Sequence, residues 1–206
     1  MTDCTGVSEA AVGPEGHAKG GTVAAPGQTV GPFFHLGLPC DGGNELVPPG
    51  RADAIRLSGR VLDGNGAGVP DALVEIWQAD PSGAVCRTPG SLHRDGWTFT
   101  GFGRAATDPD GHYWFSTLRP GPAESGRPPF FAVTVFARGL LDRLFTRAYL
   151  PDDPAALDAD PLLAAVDPAR RDTLIAVPEE GGLRFDIRLQ GEGETVFLTF
   201  IGRHTP

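Results

Sequence analysis

The sequence has few of the residues on which nucleic-acid surfaces, disulfide frameworks and zinc sites depend. Lys19 is the only lysine among 206 residues, and the formal net charge is −9. This balance disfavours nucleic acid as a partner, because nucleic-acid binding relies on clustered cations that neutralise phosphates. The three cysteines, Cys4, Cys40 and Cys86, are odd in number and widely spaced. They predict neither a disulfide framework nor a zinc site, and they suit a reducing compartment.

Long apolar segments are also missing. The sequence contains no run of about 18 apolar residues, which a membrane span would need. The N-terminus also lacks the basic and apolar regions of a secretory signal. We therefore expect a cytoplasmic protein. What the chain has in excess is glycine and proline, 29 and 20 residues, about twice their usual share. These residues separate short apolar runs, which predicts many short strands and long loops.

The pattern along the chain predicts a flexible N-terminal arm over residues 1–26 and a single domain over residues 27–206. In the domain, short alternating or β-branched runs recur at the spacing of an all-β sandwich with mixed or antiparallel strands, long loops and a few short helices. The predicted strands are 56–62, 72–78, 112–118, 130–137, 143–149, 183–189 and 195–201.

Two pairs of these strands are predicted to form hairpins. The first, over 57–83, turns at Asp63-Gly64-Asn65-Gly66, whose residues tolerate positive φ. The second lies over 184–200, and its first strand carries charged side chains on one face, which we expect to be solvated or paired. Between residues 150 and 177, three Asp-Pro pairs predict short helices at the sandwich edge, each with an Asp N-cap and a Pro at the first helical position.

Few residues in this sequence predict catalysis. No nucleophile elbow, dinucleotide-binding loop or paired-histidine metal motif is present. His35 is the histidine best placed for a pocket, whereas His112 is predicted to lie on the surface. Arg138 ends an apolar strand, where it can bind a carboxylate from a ligand or pair with an acidic side chain of the chain itself.

Several long motifs occur in one order and together resemble the intradiol ring-cleavage dioxygenases. The resemblance covers about residues 27–201. Its motifs are GQTVGPFF, LSGRVLDGNG with VEIWQAD, GFGRAATDPDGHYWFSTLRPG, VFARGLLDRLFTRAYL, RRDTLIA and RFDIRLQGEGETVFL. The resemblance implies a β-sandwich and a non-haem Fe³⁺ that is held by two tyrosines and two histidines.

At the positions that match the family's iron ligands, this sequence has other residues. The family's Pro-Gly-Pro-Tyr turn corresponds to Pro120-Gly121-Pro122-Ala123, and its Arg-Pro-x-His-x-His strand places Phe130 and Ala132 at the histidine positions. The loop over 85–100, where the family carries its other tyrosine, has none. Because phenylalanine and alanine offer no lone pair to a metal, we expect no iron on this chain.

The resemblance further implies a metal-free subunit of a two-chain member of the family. A homologous beta-type partner would bind Fe³⁺ and form alpha-beta protomers and higher oligomers with this chain. The complex would cleave protocatechuate with O₂ to 3-carboxy-cis,cis-muconate. The implied substrate-binding residues of this chain lie in one N-terminal turn and at the end of one strand: Thr29, Gly31, Pro32, Phe33 and Arg138. Phe33 stands where the family has tyrosine, so a hydroxyl contact made at that position is lost.

Two alternatives stay open at this point. A single-chain catechol or hydroxyquinol dioxygenase would carry the full set of iron ligands and a sizeable helical N-terminal region. A non-enzymatic β-sandwich binding module would account for the strands and turns, but it would leave the GQTVGPFF and GEGETVFL segments unexplained.

Overall fold

The computed structural model describes residues 31, 34–87, 92 and 94–199. Over these residues the chain forms nine short strands, two short α-helices, one 3₁₀ helix and a single helical turn, α1, at Phe34–Gly37. The strands are β1 Ala54–Leu62, β2 Leu73–Gln78, β3 Phe102–Ala106, β4 His112–Leu118, β5 Phe130–Phe136, β6 Leu144–Tyr149, β7 Val177–Glu179, β8 Gly182–Arg184 and β9 Ile187–Arg188. The predicted arm over 1–26 lies outside the described residues, so it stays a prediction.

The strands form two sheets, which confirms the all-β sandwich. In the first sheet the strand order is β4-β1-β8-β7, and β9 also pairs with β1. Strand β1 is antiparallel to β4 but parallel to β8 and β9. In the second sheet the order is β3-β2-β5-β6, and every pair is antiparallel.

The main core lies between the two sheets. Inward side chains alternate along each strand, as the period of two in a β-strand requires. The buried set includes Leu57, Val61, Phe115 and Ile187 from the first sheet and Val74, Ile76, Phe131, Val133 and Val135 from the second. A buried hydrogen bond of 2.5 Å joins Thr117 Oγ1 of β4 to Gln78 Oε1 of β2, and Gln78 Nε2 donates to the carbonyl of Leu118. The polar groups buried between the sheets are therefore satisfied.

The predicted pairing of the first two strands is wrong. Strand β1 belongs to the first sheet and β2 to the second, so the chain crosses from one sheet to the other between them. The Asp63–Gly66 turn itself forms, with the Asp63 carboxylate accepting hydrogen bonds from the backbone N–H of Asn65 and Ala67. After this turn the two chain segments pair through a single antiparallel bridge, between Leu62 and Gly68.

The predicted C-terminal hairpin is also wrong as a two-stranded ladder. Strands β8 and β9 both pair with β1, and the described residues 195–199 form no strand. The chain reverses direction between Arg188 and Thr195, where the Thr195 N–H donates a hydrogen bond to the Arg188 carbonyl. Beyond this turn, the Leu198 N–H donates to the carbonyl of Phe145. The charged side chains of this segment are paired, as expected, since Arg184 bonds both Glu179 and Asp186.

All three Asp-Pro pairs begin helices, as predicted. Helices α2 Pro154–Ala159 and α3 Pro161–Ala165 and the 3₁₀ helix Pro168–Leu174 each follow an Asp N-cap that accepts backbone N–H bonds. They lie at the β6 edge of the second sheet, where Tyr149 packs with Leu157, Leu163 and Leu174 in a second buried cluster. Among the described residues, no helix is long and apolar enough to cross a membrane.

Candidate functional site

The positions predicted to match the family's iron ligands lie together at one end of the second sheet. Phe130 and Ala132 are two residues apart on β5, so they share its outward face. Ala123 lies in the turn that follows β4, and it lines the same cavity as Phe130, with a volume of about 300 Å³. We call this space the remnant cavity. The residues at these positions do not fit a metal, because none of the three side chains carries a donor atom.

The turn that carries Ala123 is held against a second turn by glycines. A Cβ added at Gly83 would lie 2.2 Å from the carbonyl oxygen of Pro122, and one at Gly121 would lie 2.3 Å from that of Pro81. Gly83 also has φ +90°, a conformation that suits glycine. The backbone around the remnant cavity is therefore closely packed although its ligand side chains are absent.

The walls of the remnant cavity carry charge. The guanidinium of Arg147 lies 4.0 Å from the centroid of the Phe130 ring, within the range of a cation–π contact. Arg147 Nη1 donates a 3.0 Å hydrogen bond to the Tyr149 hydroxyl, which in turn lies 3.2 Å from Asp160 Oδ1. Across the cavity, Arg127 Nη1 lies 3.9 Å from Asp160 Oδ2.

Asp160 connects the cavity to the helices. Its side chain is buried and accepts backbone N–H bonds from Leu162 and Leu163 at the start of α3. Burial raises the pKa of Tyr149, and the hydrogen bond from Arg147 opposes part of that rise. Tyr149 is thus a neutral phenol at physiological pH, able to accept from Arg147 while it donates to Asp160.

The loop over 85–100 contributes no ligand residue in its described part. Asp95 accepts backbone bonds from Trp97 and Thr98, and the Trp97 side chain is 94% exposed. Arg94 Nη2 donates to the carbonyls of Gly43 and Phe102 and ties the loop to the sheet. Across the described residues, no group of three or more His, Cys, Asp or Glu is arranged to hold a metal ion.

Of the predicted substrate-binding residues, Arg138 lies away from the remnant cavity. It is two residues beyond Phe136, the far end of β5, which is about 20 Å of strand from Phe130. Its side chain is 66% exposed and forms a salt bridge with Asp71, whose side chain is 12% exposed. Gly31 has φ +85°, and a Cβ added there would meet no atom within 4 Å. Thr29, Pro32 and Phe33 lie outside the described residues, so whether the set forms one site stays a prediction.

The two described histidines, His35 and His112, do not line the remnant cavity. His112 lies on the surface, as predicted, and its Nδ1 is 3.4 Å from an Asp108 oxygen. His35 lies in α1 against the buried ring of Phe34, and its buried Nδ1 has no hydrogen-bond partner among the described residues. His17, His93 and His204 lie outside the described residues.

Sequence reasoning missed the charged residues of the remnant cavity. The Asp160-Pro161 pair carried a signal, but it predicted only a helix cap. The strand period predicts that the Arg147 side chain lies on the outward face of β6. It does not indicate which residues contact that side chain. Its pairing with Ala132 across β5 and β6 brings it to the cavity, and this register depends on contacts between strands that the sequence alone does not reveal.

The family model described as "Dioxygenase" matches residues 31–191, and the sandwich and the cavity lie within that match. The chain therefore belongs to the intradiol ring-cleavage dioxygenase family, whose members use non-haem iron. Among curated relatives, it is 39% identical to the protocatechuate 3,4-dioxygenase alpha chain of Burkholderia cepacia, over 84% of this chain and 95% of that one.

One further curated relative and one solved structure are similar to the chain. It is 36% identical to the protocatechuate 3,4-dioxygenase beta chain of Burkholderia cepacia, over 69% of this chain and 67% of that one. The dioxygenase domain of a carbohydrate-binding fusion protein from Streptomyces sp. SirexAA-E superposes with a TM-score of 0.52 at 23% identity, covering 85% of this chain and 96% of that one. The structural likeness shows a common fold.

Proposed function

We propose that this chain is the metal-free alpha-type subunit of a protocatechuate 3,4-dioxygenase. A homologous beta-type partner binds the ferric iron in this proposal, and the complex cleaves protocatechuate with O₂ to 3-carboxy-cis,cis-muconate. The observation that carries the proposal is the remnant cavity, where Ala123 and Phe130 stand at predicted ligand positions and an arginine lies over the Phe130 ring. Ala132, at the third such position, shares the outward face of β5 with Phe130. A guanidinium at that place opposes a ferric ion by charge as well as by the lack of donors.

The relatives support the division of labour between two chains. The chain matches an alpha chain over nearly its whole length, and it also matches the beta chain from the same organism over a smaller share. Similarity to both chains of one enzyme is expected if the alpha-type and beta-type subunits are homologous. In this proposal the alpha-type chain pairs with the beta-type chain through the fold that both share.

The contribution of this chain to catalysis is assigned to the Arg138 end of β5. The exposed guanidinium of Arg138 keeps part of its positive charge although Asp71 pairs with it. That charge favours the carboxylate and the catecholate of an aromatic substrate in a nearby pocket. The turn with Thr29, Gly31, Pro32 and Phe33 is proposed to border the aromatic ring and to restrict the access of water.

The proposal is tested by expressing this chain alone, its candidate beta-type partner alone, and both together. We expect iron, visible tyrosinate-to-iron absorption and ring cleavage only where the partner is present, with the highest activity for the pair. Stoichiometric ferric iron in the lone chain would overturn the metal-free assignment. Failure to associate with any iron-bearing partner would favour the non-enzymatic binding module instead.

A further inference from the structure

We propose that the remnant cavity is a binding site for a small aromatic carboxylate, with the guanidinium groups of Arg147 and Arg127 facing its carboxylate. This site is separate from the predicted substrate-binding end at Arg138. The proposal does not depend on the proposed function, because it requires neither iron nor a partner chain.

The first argument is the state of Arg147. Its side chain is half-buried on β6, and its only hydrogen bond to a side chain among the described residues goes to the Tyr149 hydroxyl, an uncharged group. No carboxylate of the described residues forms a salt bridge with it, whereas Arg104 and Arg138 each have one and Arg127 has two. A half-buried cation without a counter-ion loses hydration that an anion would replace.

The second argument is the arrangement of donors. Asp160 forms no salt bridge with Arg147, and its Oδ1 is taken up by the Tyr149 hydroxyl and two backbone N–H groups. Arg127 lies 3.9 Å from the buried Asp160 carboxylate and 3.8 Å from Glu124, whose side chain is 78% exposed. The exposed pair with Glu124 contributes little, so Arg127 can turn from it toward a ligand.

The third argument is the shape and chemistry of the space. The volume of about 300 Å³ lies at the lower end of the range for small-molecule sites. Besides the two arginines, the walls include the apolar residues Pro128, Phe130, Pro161 and Leu162 and the acidic residues Glu124 and Asp160. Asp160 is held by the α3 N-terminus and Glu124 is exposed, so the apolar walls and the two guanidinium groups are left to match a planar ring with one carboxylate, because a guanidinium binds a carboxylate through parallel hydrogen bonds.

The test uses the full chain and 4-fluorobenzoate as the probe, with binding followed by ¹⁹F NMR. We expect one site per chain, no binding of the uncharged 4-fluorobenzamide, and at least about tenfold weaker binding in Arg147→Met, the loss that charge-assisted hydrogen bonds predict. Arg143→Met is the matched control, because Arg143 also lies over a ring, that of Phe145, at 5.1 Å, but does not line the cavity. It should bind like the wild type.

A second variant guards against misfolding of Arg147→Met. Ala123→Trp fills the remnant cavity and leaves both arginines in place, so it should abolish binding of the probe. In a complex with the iron-bearing partner, the same probe should bind at two sites per protomer in the wild type and at one in Ala123→Trp. The proposal is overturned if the wild type does not bind the probe on this chain, if Ala123→Trp still binds it, or if sulfate binds as tightly as 4-fluorobenzoate.

Discussion

The two ends of β5 differ in what their side chains do. At the Phe130 end, a cation–π contact, a buried tyrosine and a helix cap form one connected network. At the other end, Arg138 is mostly exposed and holds a single salt bridge with Asp71. We call the Phe130 end of the strand the closed end, because an arginine, a buried tyrosine and a helix cap pack around the predicted ligand positions there. We call the other end the open end, because the guanidinium of Arg138 is mostly exposed.

This difference predicts that substitutions at the two ends change the stability of the fold to different extents. Substitutions in the closed end remove buried area and buried hydrogen bonds, so they should act on the free energy of unfolding. Substitutions at the open end remove an exposed charge, so they should act on the affinity for a charged substrate and leave stability almost unchanged. The four predictions below test this contrast, from the largest expected effect to the smallest.

Replacing Tyr149 by alanine should have the largest effect. The ring is fully buried between β6 and the helices, and removal of a buried aromatic side chain costs about 3 to 5 kcal/mol. Urea unfolding followed by tryptophan fluorescence measures the loss. The control at the open end is Arg138→Ala, for which we expect a loss below about 1 kcal/mol. Equal losses for the two variants would contradict the contrast.

The Asp160→Ala variant should come second. It removes the cap of α3 and leaves the buried Tyr149 hydroxyl without its acceptor, which together cost about 2 to 4 kcal/mol. Asp153→Ala is the matched control, because Asp153 caps α2 in the same way but accepts only from Ala156 and is exposed. Its loss should be about 1 kcal/mol. If thermal or urea unfolding gives the two variants the same stability, the closed network contributes nothing beyond an ordinary cap.

Substitution of Arg138 by glutamine should act on recognition. In the complex with the beta-type partner, we expect the KM for protocatechuate to rise about five- to tenfold with little change in kcat, since the charge assists binding from a distance. The KM for catechol, which has no carboxylate, should change less. Asp71→Asn tests the sign of this electrostatic effect. It removes the anion beside Arg138, so it should lower the KM for protocatechuate. An unchanged KM in both variants would remove Arg138 from the substrate-binding set.

The effect of alkaline pH on the free energy of unfolding should come last, because it is absent at neutral pH. Burial raises the pKa of Tyr113 and that of Tyr149 above the ordinary value for a phenol. Their stabilising contribution is fully present below about pH 10 and is lost as pH rises through the raised folded values. With one lysine in the chain, few other groups titrate there.

The measurement is urea unfolding from pH 8 to 11. The slope of stability against pH should be negative above about pH 10, and it should become shallower in Tyr113→Phe. Arg138→Gln should leave the slope as it is in the wild type, because Arg138 pairs with Asp71 and the two phenols bond other groups, Tyr113 the Phe185 carbonyl and Tyr149 the Arg147 and Asp160 side chains. A positive slope in the wild type would contradict the assignment of the two buried phenols.

Features of local origin were predictable from the sequence. Each Asp-Pro pair satisfies its own helix N-terminus, so the caps at Asp153, Asp160 and Asp167 could be placed without knowledge of the fold. The same holds for the turn at Asp63, where one carboxylate bonds two N–H groups within four residues. The strand period likewise identified β1, β2, β4, β5 and β6 to within about two residues.

Features that depend on distant contacts were not predictable from the residues themselves. Strand β3, with Gly103 and Arg104 at its centre, lacks a β-branched pattern and is held by its pairing with β2. Arg104 there bonds Glu75 across the strands at 2.6 Å. The remnant cavity is the same kind of case: the resemblance named its ligand positions, but only the register between β5 and β6 brought Arg147 to them.

The crossing of the chain between β1 and β2 has a consequence for folding order. All strands of the second sheet lie within residues 73–149, so that sheet can assemble while the rest of the chain is still being synthesised. Strand β1 is made before them, yet two of its partners, β8 and β9, come from residues 182–188. Its pairing with β4 can form earlier, but the edge that β8 and β9 cover must wait for the last part of the chain, and closure over so long a loop is slow. We therefore expect a folding intermediate in which the second sheet is protected from hydrogen exchange before β8 and β9 are.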